Sequence, residues 1–599
     1  MPLALLLTAA LAAAAPTLLA YNVSPSPTLL NQALALALWG VWVMLTAPLA
    51  PGRGVLPALA ALVLMGAAAA WSWGLGGLPP SLALSSLGML AAAALMLAAG
   101  AGARRRADAA NLFAAFCWAY AIAGLLNAAL AAVQVFAPQW TDGDWLATSS
   151  IAGRAVGNMR QPNHLSSVLT WGCIAVVGLL EMRRVRLRLA APALALLVAA
   201  IVLTASRTGL VSVLLLALWA LLDRRLRGST RALLLAAPLV YGAAWWGAAQ
   251  WAAASQHAFS GAARLAETDI SGSRFGIWAN TLALIRQQPW TGVGWGEFNF
   301  AWTLTPFPGR PTAFFDHTHN LPLQLLVELG LPLGGLVLGL LLWALWRAAA
   351  LAWTRTPPAG EDAASGLPAA QRGALIAAQR CALMMVLMIG LHSLLEYPLW
   401  YAYFLLPTAW AWGFALGPRR APVRTGPAGA APGLTWSTGQ TGLNVLAALG
   451  AALVLGAGYA LADYRSVAAI FRASPGDAPL EQRIATGQRS LFFAHHADYA
   501  AATSGVNMPN PPAAFDGATH YLLDTRLMKA WAQSLAEQGR EEEARNLAQR
   551  LREFRKTDAA AFFEPCDNPA SAPAAGAATL FQCVPAAGAV NWRRYLPER

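Results

Sequence analysis

Two histidines and an asparagine stand just before a long apolar run, and they are the first group of residues that could do chemistry. His317, His319 and Asn320 precede an apolar run near 321–345, so His319 lies at the mouth of a predicted membrane helix. An unperturbed imidazole titrates near ~6.5 and accepts a proton at neutral pH, which makes His319 a candidate general base. Two other interpretations stay open. His319 could cap a helix or lie at the interface, or Asp316, His317 and His319 could bind a metal, although no further ligand cluster completes such a site.

Four arginines form a second group. Arg207 lies between two apolar runs with almost no loop, where an ionisable side chain is a candidate functional residue. Arg274 begins an apparent helix, and Arg154 and Arg160 lie in a glycine-containing segment. A planar guanidinium group can donate to two phosphate oxygens at once, so these arginines could surround a polyanion. The alternatives are snorkelling of Arg207 to lipid headgroups, pairing of Arg207 with a loop carboxylate, and simple solvation of Arg274. The segment with Arg154 and Arg160 also carries three neutral hydrogen-bonding side chains: Gln161, Asn163 and His164.

The composition identifies the elements that must position these residues. Of 599 residues, 57% are hydrophobic and 12% charged. Soluble chains have roughly 25% charged residues, so an ordinary soluble enzyme is excluded, and so is a disordered chain. Apolar runs of about 20 residues, enough to cross ~30 Å of hydrocarbon, recur through residues 1–460. We therefore expect an all-α polytopic membrane protein with about 13 transmembrane helices, near 2–20, 30–49, 55–75, 82–101, 111–136, 165–182, 189–204, 208–222, 232–250, 321–345, 375–392, 400–416 and 441–460.

The basic residues predict the orientation of these helices, because short cytoplasmic loops are enriched in arginine and lysine. Alternate loops carry 19 basic residues on one side and seven on the other, which places the N-terminus inside and residues 461–599 outside. No basic segment precedes the first apolar run, so we expect a retained helix rather than a cleaved signal peptide. The net charge of +13 then reflects topology and does not indicate nucleic-acid binding. Arg154, Arg160, Arg207 and Arg274 are among the seven arginines that break the rule.

The chain divides into two predicted domains. Residues 1–460 form the transmembrane domain, with a long periplasmic catalytic loop at about 251–320, and residues 461–599, here called the tail, form a periplasmic helical domain. An amphipathic run from Tyr521 to Phe554, interrupted at Gln538–Arg540, predicts one helical hairpin of the tetratricopeptide kind. A lone hairpin is more often a plain helical domain than a peptide-binding module. Cys566 and Cys583 are the only cysteines of the tail, and an oxidising compartment would permit a disulfide between them.

In these motifs the sequence resembles the O-antigen ligase superfamily, integral membrane enzymes that move a glycan from undecaprenyl diphosphate to an acceptor at the periplasmic face. The family's motifs occur in order: Arg-x-x-Gly-x-x-x-Gln-Pro-Asn-His from Arg154 to His164, then Ser206-Arg207-Thr208, Ser273-Arg274, and His319-Asn320 followed by Gly330. The Gln-Pro-Asn-His form, the segment from Leu395 to Trp400 and the large tail are similar to the pilin-glycosylation branch, the bacterial protein O-oligosaccharyltransferases. One position departs: the family has a small residue three after Gly330, where this chain has Leu333 and then Gly334.

The resemblance implies roles for the candidate residues. His319 corresponds to the catalytic histidine, Arg207 and Arg274 to two essential arginines, and Gln161 and Tyr397 to positions implicated in glycosyl transfer. Arg154 and Arg160 are expected to help bind the donor diphosphate, and no metal or cofactor is expected. Further candidate site residues are Asn163, His164, His317 and Asn320.

The resemblance also implies a reaction and its partners. An oligosaccharide would pass from undecaprenyl diphosphate to Ser or Thr hydroxyl groups of periplasmic proteins such as pilin, at the periplasmic face of the bacterial inner membrane. Membrane lipid is a further expected partner and nucleic acid is not. The alternatives within the enzyme class are ligation to lipid A core and polymerisation of the glycan. A lipid-linked glycan transporter is a non-enzyme alternative, disfavoured because nearly all charges lie at helix ends and no internal repeat is visible.

Overall fold

The structure, a computed structural model, describes residues 3–255, 257–261, 272–353, 368–417, 438–505, 511–568 and 580–596, and in these ranges all regular structure is helical. The α-helices are α1 (Leu3–Leu18), α2 (Leu29–Thr46), α3 (Leu56–Trp71), α4 (Pro80–Arg104), α5 (Ala109–Phe136), α6 (Pro162–Glu181), α7 (Leu187–Leu203), α8 (Arg207–Leu222), α9 (Gly228–Ser255), α10 (Gly272–Gln287), α11 (Phe298–Leu304), α12 (Leu321–Trp353), α13 (Ala369–Ser393), α14 (Ala402–Leu416), α15 (Thr438–Phe471), α16 (Leu480–Gly487), α17 (Ala494–Thr503), α18 (Pro511–Ala518), α19 (Thr525–Glu537), α20 (Glu541–Glu553) and α21 (Ala560–Asp567).

The apolar runs of the sequence form helices. Among the described residues, nine helical segments are long and apolar enough to cross a membrane, and four shorter helices are also apolar. The nine involve α2, α3 with its flanking turns, α4, α5, α6, α9, α12, α13 and α15, and the shorter ones are α1, α7, α8 and α14. Each of these coincides with one of the predicted runs. The prediction of an all-α polytopic membrane protein is confirmed.

The first of two compact units contains residues 1–60, 91–268 and 340–459. Its core is rich in aromatic rings: Phe116 stacks on Trp410 with centroids 4.7 Å apart, and Phe113 packs on Phe414 at 4.9 Å. Helices α4 and α14 approach closely at Gly100, where an added Cβ would lie 2.0 Å from the carbonyl oxygen of Trp410. Helix association inside a bilayer depends on such close packing, which small residues permit.

The second unit contains residues 61–90, 269–339 and 460–599. One hydrophobic core joins the 251–320 loop to the tail, since Ile277 and Trp302 of the loop lie in the same buried cluster as Leu547 and Phe554 of the tail. Helices α19 and α20 follow each other in the tail, with Gly539 at φ +76° in the turn between them. The tail therefore shares its main core with residues of the 251–320 loop. Cys566 and Cys583 are joined by a disulfide, with Cα atoms 5.0 Å apart.

Candidate active site

Side-chain amides hold the segment that precedes α6. Gln134 Oε1 accepts a hydrogen bond from the backbone N–H of Val156 at 3.0 Å. Gln161 is the N-cap of α6, and its Oε1 accepts from the N–H groups of Asn163 at 2.5 Å and His164 at 3.0 Å. An acceptor at this position satisfies N–H groups that the helix leaves unpaired. Gln161 therefore fixes the first turn of α6.

Asn163 is the centre of a polar cluster with Ser206 and Glu396, called the Asn163 cluster below. Ser206 Oγ donates to Asn163 Oδ1 at 2.7 Å, and Asn163 Nδ2 donates to Glu396 Oε1 at 3.0 Å. Ser206 is also the N-cap of α8, because its Oγ accepts from the N–H of Gly209 at 3.1 Å. Arg207 is the first residue of that helix. The cluster thus fixes the backbone that carries Arg207.

Arg154 and Arg160 are held in different places. Arg154 is 6% exposed, and its Nε donates at 2.9 Å to the carbonyl oxygen of Thr204, close in sequence to Arg207. Arg160 donates to the carbonyl oxygens of Ala20 at 2.7 Å and Gly143 at 3.0 Å. The structure therefore ties Arg154 to the α7–α8 junction, whereas both terminal nitrogens of Arg160 bind backbone elsewhere in the first unit.

His164 and Tyr397 lie near the Asn163 cluster in sequence but differ in surroundings. His164 is buried, with its ring 4.7 Å from that of Tyr401 and its Nδ1 3.3 Å from the hydroxyl oxygen of Tyr403. An imidazole enclosed in this way packs the core of the first unit. Tyr397 directly follows Glu396, and its ring lies 5.8 Å from that of Tyr401.

In the second unit, α10 meets the residues just before α12. Arg274 lies in the first turn of α10. One turn later, Trp278 Nε1 donates to the carbonyl oxygen of Thr318 at 3.0 Å. Since Thr318 directly precedes His319, this hydrogen bond brings the helix that carries Arg274 to the candidate base.

His319 has an unusual backbone. Its φ is +54°, which residues other than glycine adopt rarely and often at functional sites. The next residue, Asn320, caps α12 by accepting from the N–H of Leu323 at 3.0 Å. The His319 side chain is partly exposed, with its ring 5.5 Å from that of Phe315.

A carboxylate stands beside these histidines. Asp316 Oδ1 contacts His317 Nδ1, and the rings of His317 and His319 are 4.2 Å apart. Burial raises the pKa of the Asp316 carboxyl, but His317 and then His319 outweigh it, so that pKa lies below its ordinary value. Asp316 is therefore ionised at neutral pH and places a negative charge beside the two histidines.

A break in α12 separates the turns after His319 from the longer apolar helix. Gly330 is non-helical, with φ 74° and ψ 170°. The backbone of residues 289–294 crosses there: the Leu331 N–H donates to the Pro289 carbonyl at 2.7 Å, and the Val293 N–H to the Val327 carbonyl at 2.8 Å. The sequence predicted one run near 321–345. The structure instead places a short helix between His319 and the break.

Three further arginines were predicted to face outward, and none of them is among the contacts described above for the Asn163 cluster or for His319. The Arg310 side chain is 1% exposed, pairs with Glu553 at 3.2 Å, and lies 4.6 Å from the centroid of the Phe554 ring. Burial lowers the pKa of Arg310 to about 10, although Glu553 opposes this. Arg310 therefore joins the 251–320 loop to the tail. Arg286 is exposed at the end of α10, and Arg264 lies outside the described residues.

Sequence reasoning missed Ser206 and Glu396 as site residues. Glu396 is a carboxylate at the end of an apolar run, which is itself a signal of function. Ser206 precedes a helix at the position that favours serine. Both signals were present, but the bonds that unite them with Asn163 span 43 and 233 residues of sequence and cannot be read from local pattern.

Three family models match the chain. One described as O-antigen ligase matches residues 192–352, one described as protein glycosylation ligase matches 155–180, and one described as the C-terminal part of a virulence factor membrane-bound polymerase matches 381–563. Two of these segments contain motif residues singled out above: Arg207, Arg274 and His319 in the first, and Gln161, Asn163 and His164 in the second.

Two curated proteins of Acinetobacter baylyi are also similar. A general O-oligosaccharyltransferase is 30% identical over 273 residues, 44% of this chain and 43% of that protein. A ComP-specific O-oligosaccharyltransferase is 24% identical over 281 residues, 45% of each. The matches span less than half the length of each relative. Together with the family models, they confirm the resemblance to the O-antigen ligase superfamily and to its protein-glycosylation branch.

Proposed function

We propose that this chain transfers an oligosaccharide from undecaprenyl diphosphate to Ser or Thr hydroxyl groups of periplasmic proteins such as pilin. The observation that carries the proposal is His319, a partly exposed imidazole on strained backbone, joined through the Trp278–Thr318 hydrogen bond to the helix of Arg274. Two relatives named O-oligosaccharyltransferases support the reaction class. The enzyme would lie in the bacterial inner membrane with this face in the periplasm, as the distribution of arginines predicts.

The proposed reaction is one inverting displacement. The acceptor oxygen attacks the anomeric carbon while His319 takes the hydroxyl proton. The bond from that carbon to the diphosphate oxygen breaks, and undecaprenyl diphosphate leaves with the electron pair. Arg207, Arg274 and Arg154 would neutralise the charge that develops on the diphosphate, as fixed cations that need no reorganisation. Arg160 contributes less in this scheme, because its terminal nitrogens already bind the Ala20 and Gly143 carbonyls.

The identity of the acceptor distinguishes the proposed reaction from two related reactions. Ligation to lipid A core or polymerisation of the glycan would use the same chemistry. Two of the matching family models are described as an O-antigen ligase and as a virulence factor membrane-bound polymerase. The names of the curated relatives favour transfer to protein.

The test is transfer to an exported pilin-like protein in a bacterium that makes one lipid-linked oligosaccharide. We expect a glycan mass on the pilin with the parent chain, none with His319→Ala, and the full mass with the matched control His257→Ala, since His257 is an exposed histidine of the 251–320 loop. Glycan on the pilin with His319→Ala would refute the role of His319 as base. Glycan only on lipid A core would refute protein as the acceptor. Activity of the purified chain in excess chelator checks the expected independence from metal.

A further inference from the structure

The tail contains a polar cavity that the proposed reaction does not use. Its volume is about 730 Å³, and it is lined by the end of α18, one face of the α19–α20 hairpin and the turn at Trp592–Tyr595. A cavity of this size is in the range that binds small molecules or a few residues of peptide. All of its lining residues belong to the tail.

The charges of the lining are unequal after internal pairing. Three arginines, Arg540, Arg593 and Arg594, face two carboxylates, Asp516 and Glu543. Arg540 binds Glu543 through two nitrogens, at 2.9 and 3.3 Å. That pair neutralises one charge of each sign and leaves two arginines against one aspartate. The Arg594 side chain is 70% exposed and lies 4.0 Å from Glu543, so it can reorient toward a ligand at little cost.

The aromatic residues of the lining do not offer a surface for sugar rings. Trp531 and Tyr595 are each 6% exposed and pack against each other with centroids 5.3 Å apart, as part of the hydrophobic core of the second unit. Their faces are therefore covered. Exposed arginines beside covered aromatic rings fit a carboxylate better than a glycan, because one guanidinium group can donate to both oxygens of a carboxylate.

One wall of the cavity is coupled to the candidate site within the second unit. His520 lines the cavity, and its Nδ1 lies 2.6 Å from Glu297 Oε2, both side chains being 2% exposed or less. Glu297 lies three residues after Gly294. The N–H of Gly294 donates to the carbonyl oxygen of Glu328 at 3.0 Å, just before the break in α12. The lining of the cavity thus includes a buried residue that is bonded to the loop supporting the helix that follows His319.

We propose that this cavity binds a carboxylate-bearing peptide segment of the acceptor protein, held by Arg593 and Arg594. The proposal rests on the proposed function for the identity of the partner, but binding requires no donor and no transfer. The carboxylate comes from an acidic side chain or from the C-terminus of the acceptor, and the chemistry of recognition is the same for both.

The test is fluorescence anisotropy of labelled peptides added to the full chain in detergent, without donor. The probes are a serine-containing peptide with two aspartates and a free C-terminus, its Asp→Asn form, and its C-terminal amide. The variant is Arg593→Glu/Arg594→Glu, and the matched control is Arg489→Glu, an exposed arginine of the tail outside the cavity lining. Thermal unfolding midpoints check that each variant is folded.

We expect the double variant to weaken binding of the acidic peptide by about tenfold or more, because it removes hydrogen bonds to a charged group and reverses the charge. Arg489→Glu leaves binding unchanged. Weaker binding of the Asp→Asn form identifies the side chains as the source of the carboxylate, and weaker binding of the amide identifies the C-terminus. Equal binding by the double variant, equal binding of a peptide with neither carboxylate, or preference for the free oligosaccharide or anionic lipid vesicles would overturn the proposal.

The His319→Ala variant separates this proposal from the proposed function. It should bind the acidic peptide with the affinity of the parent chain. Peptide binding without any transfer by the parent chain would refute the proposed function alone. If the Arg593→Glu/Arg594→Glu variant transfers glycan to pilin with unchanged KM and kcat, only the proposal for the cavity is refuted.

Discussion

At the scale of single residues, a hydrogen-bonded cluster in the first unit fixes the helix start next to a cation. The Asn163 cluster links the starts of α6 and α8 to Glu396, and Arg207 follows Ser206 directly. We propose that an arginine on a helix start fixed in this way meets a developing charge with little reorganisation. Its value to the reaction should therefore lie in geometry as well as in charge.

Arg207→Lys tests that distinction, because lysine keeps the charge and removes the planar fork. We expect the rate of transfer to fall about 100-fold, as when a preorganised donor to a transition-state charge is lost. The measurement is kcat for glycan transfer to pilin by the purified chain, with Arg286→Lys, at an exposed arginine, as the control. Full activity of Arg207→Lys would show that charge alone suffices at this position.

A pair of buried histidines makes the tail sensitive to acid. Burial lowers the pKa of His496 to about 4, and burial together with His496 lowers the pKa of His495 well below its ordinary value. The unfolded chain then binds more protons than the folded chain between that value and ~6.5, so stability is full above ~6.5 and is lost as pH falls.

For His496 the loss between pH 7 and pH 5 is about 2 kcal/mol. We expect the unfolding midpoint of the tail, followed by hydrogen exchange of residues 494–503, to fall over this interval. His496→Phe, which cannot take up a proton, should reduce the fall. The same dependence on pH in the parent chain and in His496→Phe would contradict this assignment, with His257→Phe as the control for an exposed histidine.

At the scale of elements, we infer that the break in α12 helps to position His319. Residues 289–294 cross the helix at Gly330, and an added Cβ there would lie 2.4 Å from the Trp290 carbonyl oxygen. The positive φ of Gly330 adds a second penalty for any other residue. The crossing loop and the short helix after His319 should therefore move together.

Gly330→Ala should reduce transfer strongly, by about tenfold or more, since small displacements of catalytic groups are costly. Gly339→Ala is the matched control, because it lies in the same helix and its added Cβ meets no atom within 4 Å. Transfer by both variants is compared at equal amounts of folded protein. Equal activities of the two would mean that the break does not position His319.

The elements themselves could be predicted from sequence, and their connections could not. The thirteen predicted apolar runs coincide with helices of the described residues, because an apolar run in lipid must satisfy its backbone hydrogen bonds within itself. The break at Gly330, the Glu297–His520 pair and the burial of Arg310 under Phe554 each depend on residues far apart in the chain. The sequence identified the candidate residues but not their surroundings. The structure shows that Arg154 and Arg160 both donate to backbone carbonyls and that His164 is buried in the core.

At the scale of the whole molecule, the charge excess predicts the orientation of the chain in the membrane. Loops predicted to be cytoplasmic carry 19 basic and five acidic residues, and the tail carries 15 of each. A basic excess of this kind retains loops on the cytoplasmic side during insertion. Under this prediction the exported side has few cations. Arg310 is one that the structure places in a buried ion pair, and we propose that others bind the diphosphate.

The orientation can be tested with single cysteines, because the free cysteines Cys117, Cys173 and Cys381 are buried and Cys566 is bonded to Cys583. Arg188→Cys places a thiol at an exposed position predicted to be cytoplasmic, and Ala478→Cys places one at an exposed position of the tail. A maleimide that crosses the outer but not the inner membrane should label only Ala478→Cys in intact cells, and both after permeabilisation. The parent chain gives the background. Labelling of Arg188→Cys alone in intact cells would invert the topology and put His319 on the wrong side for an exported acceptor.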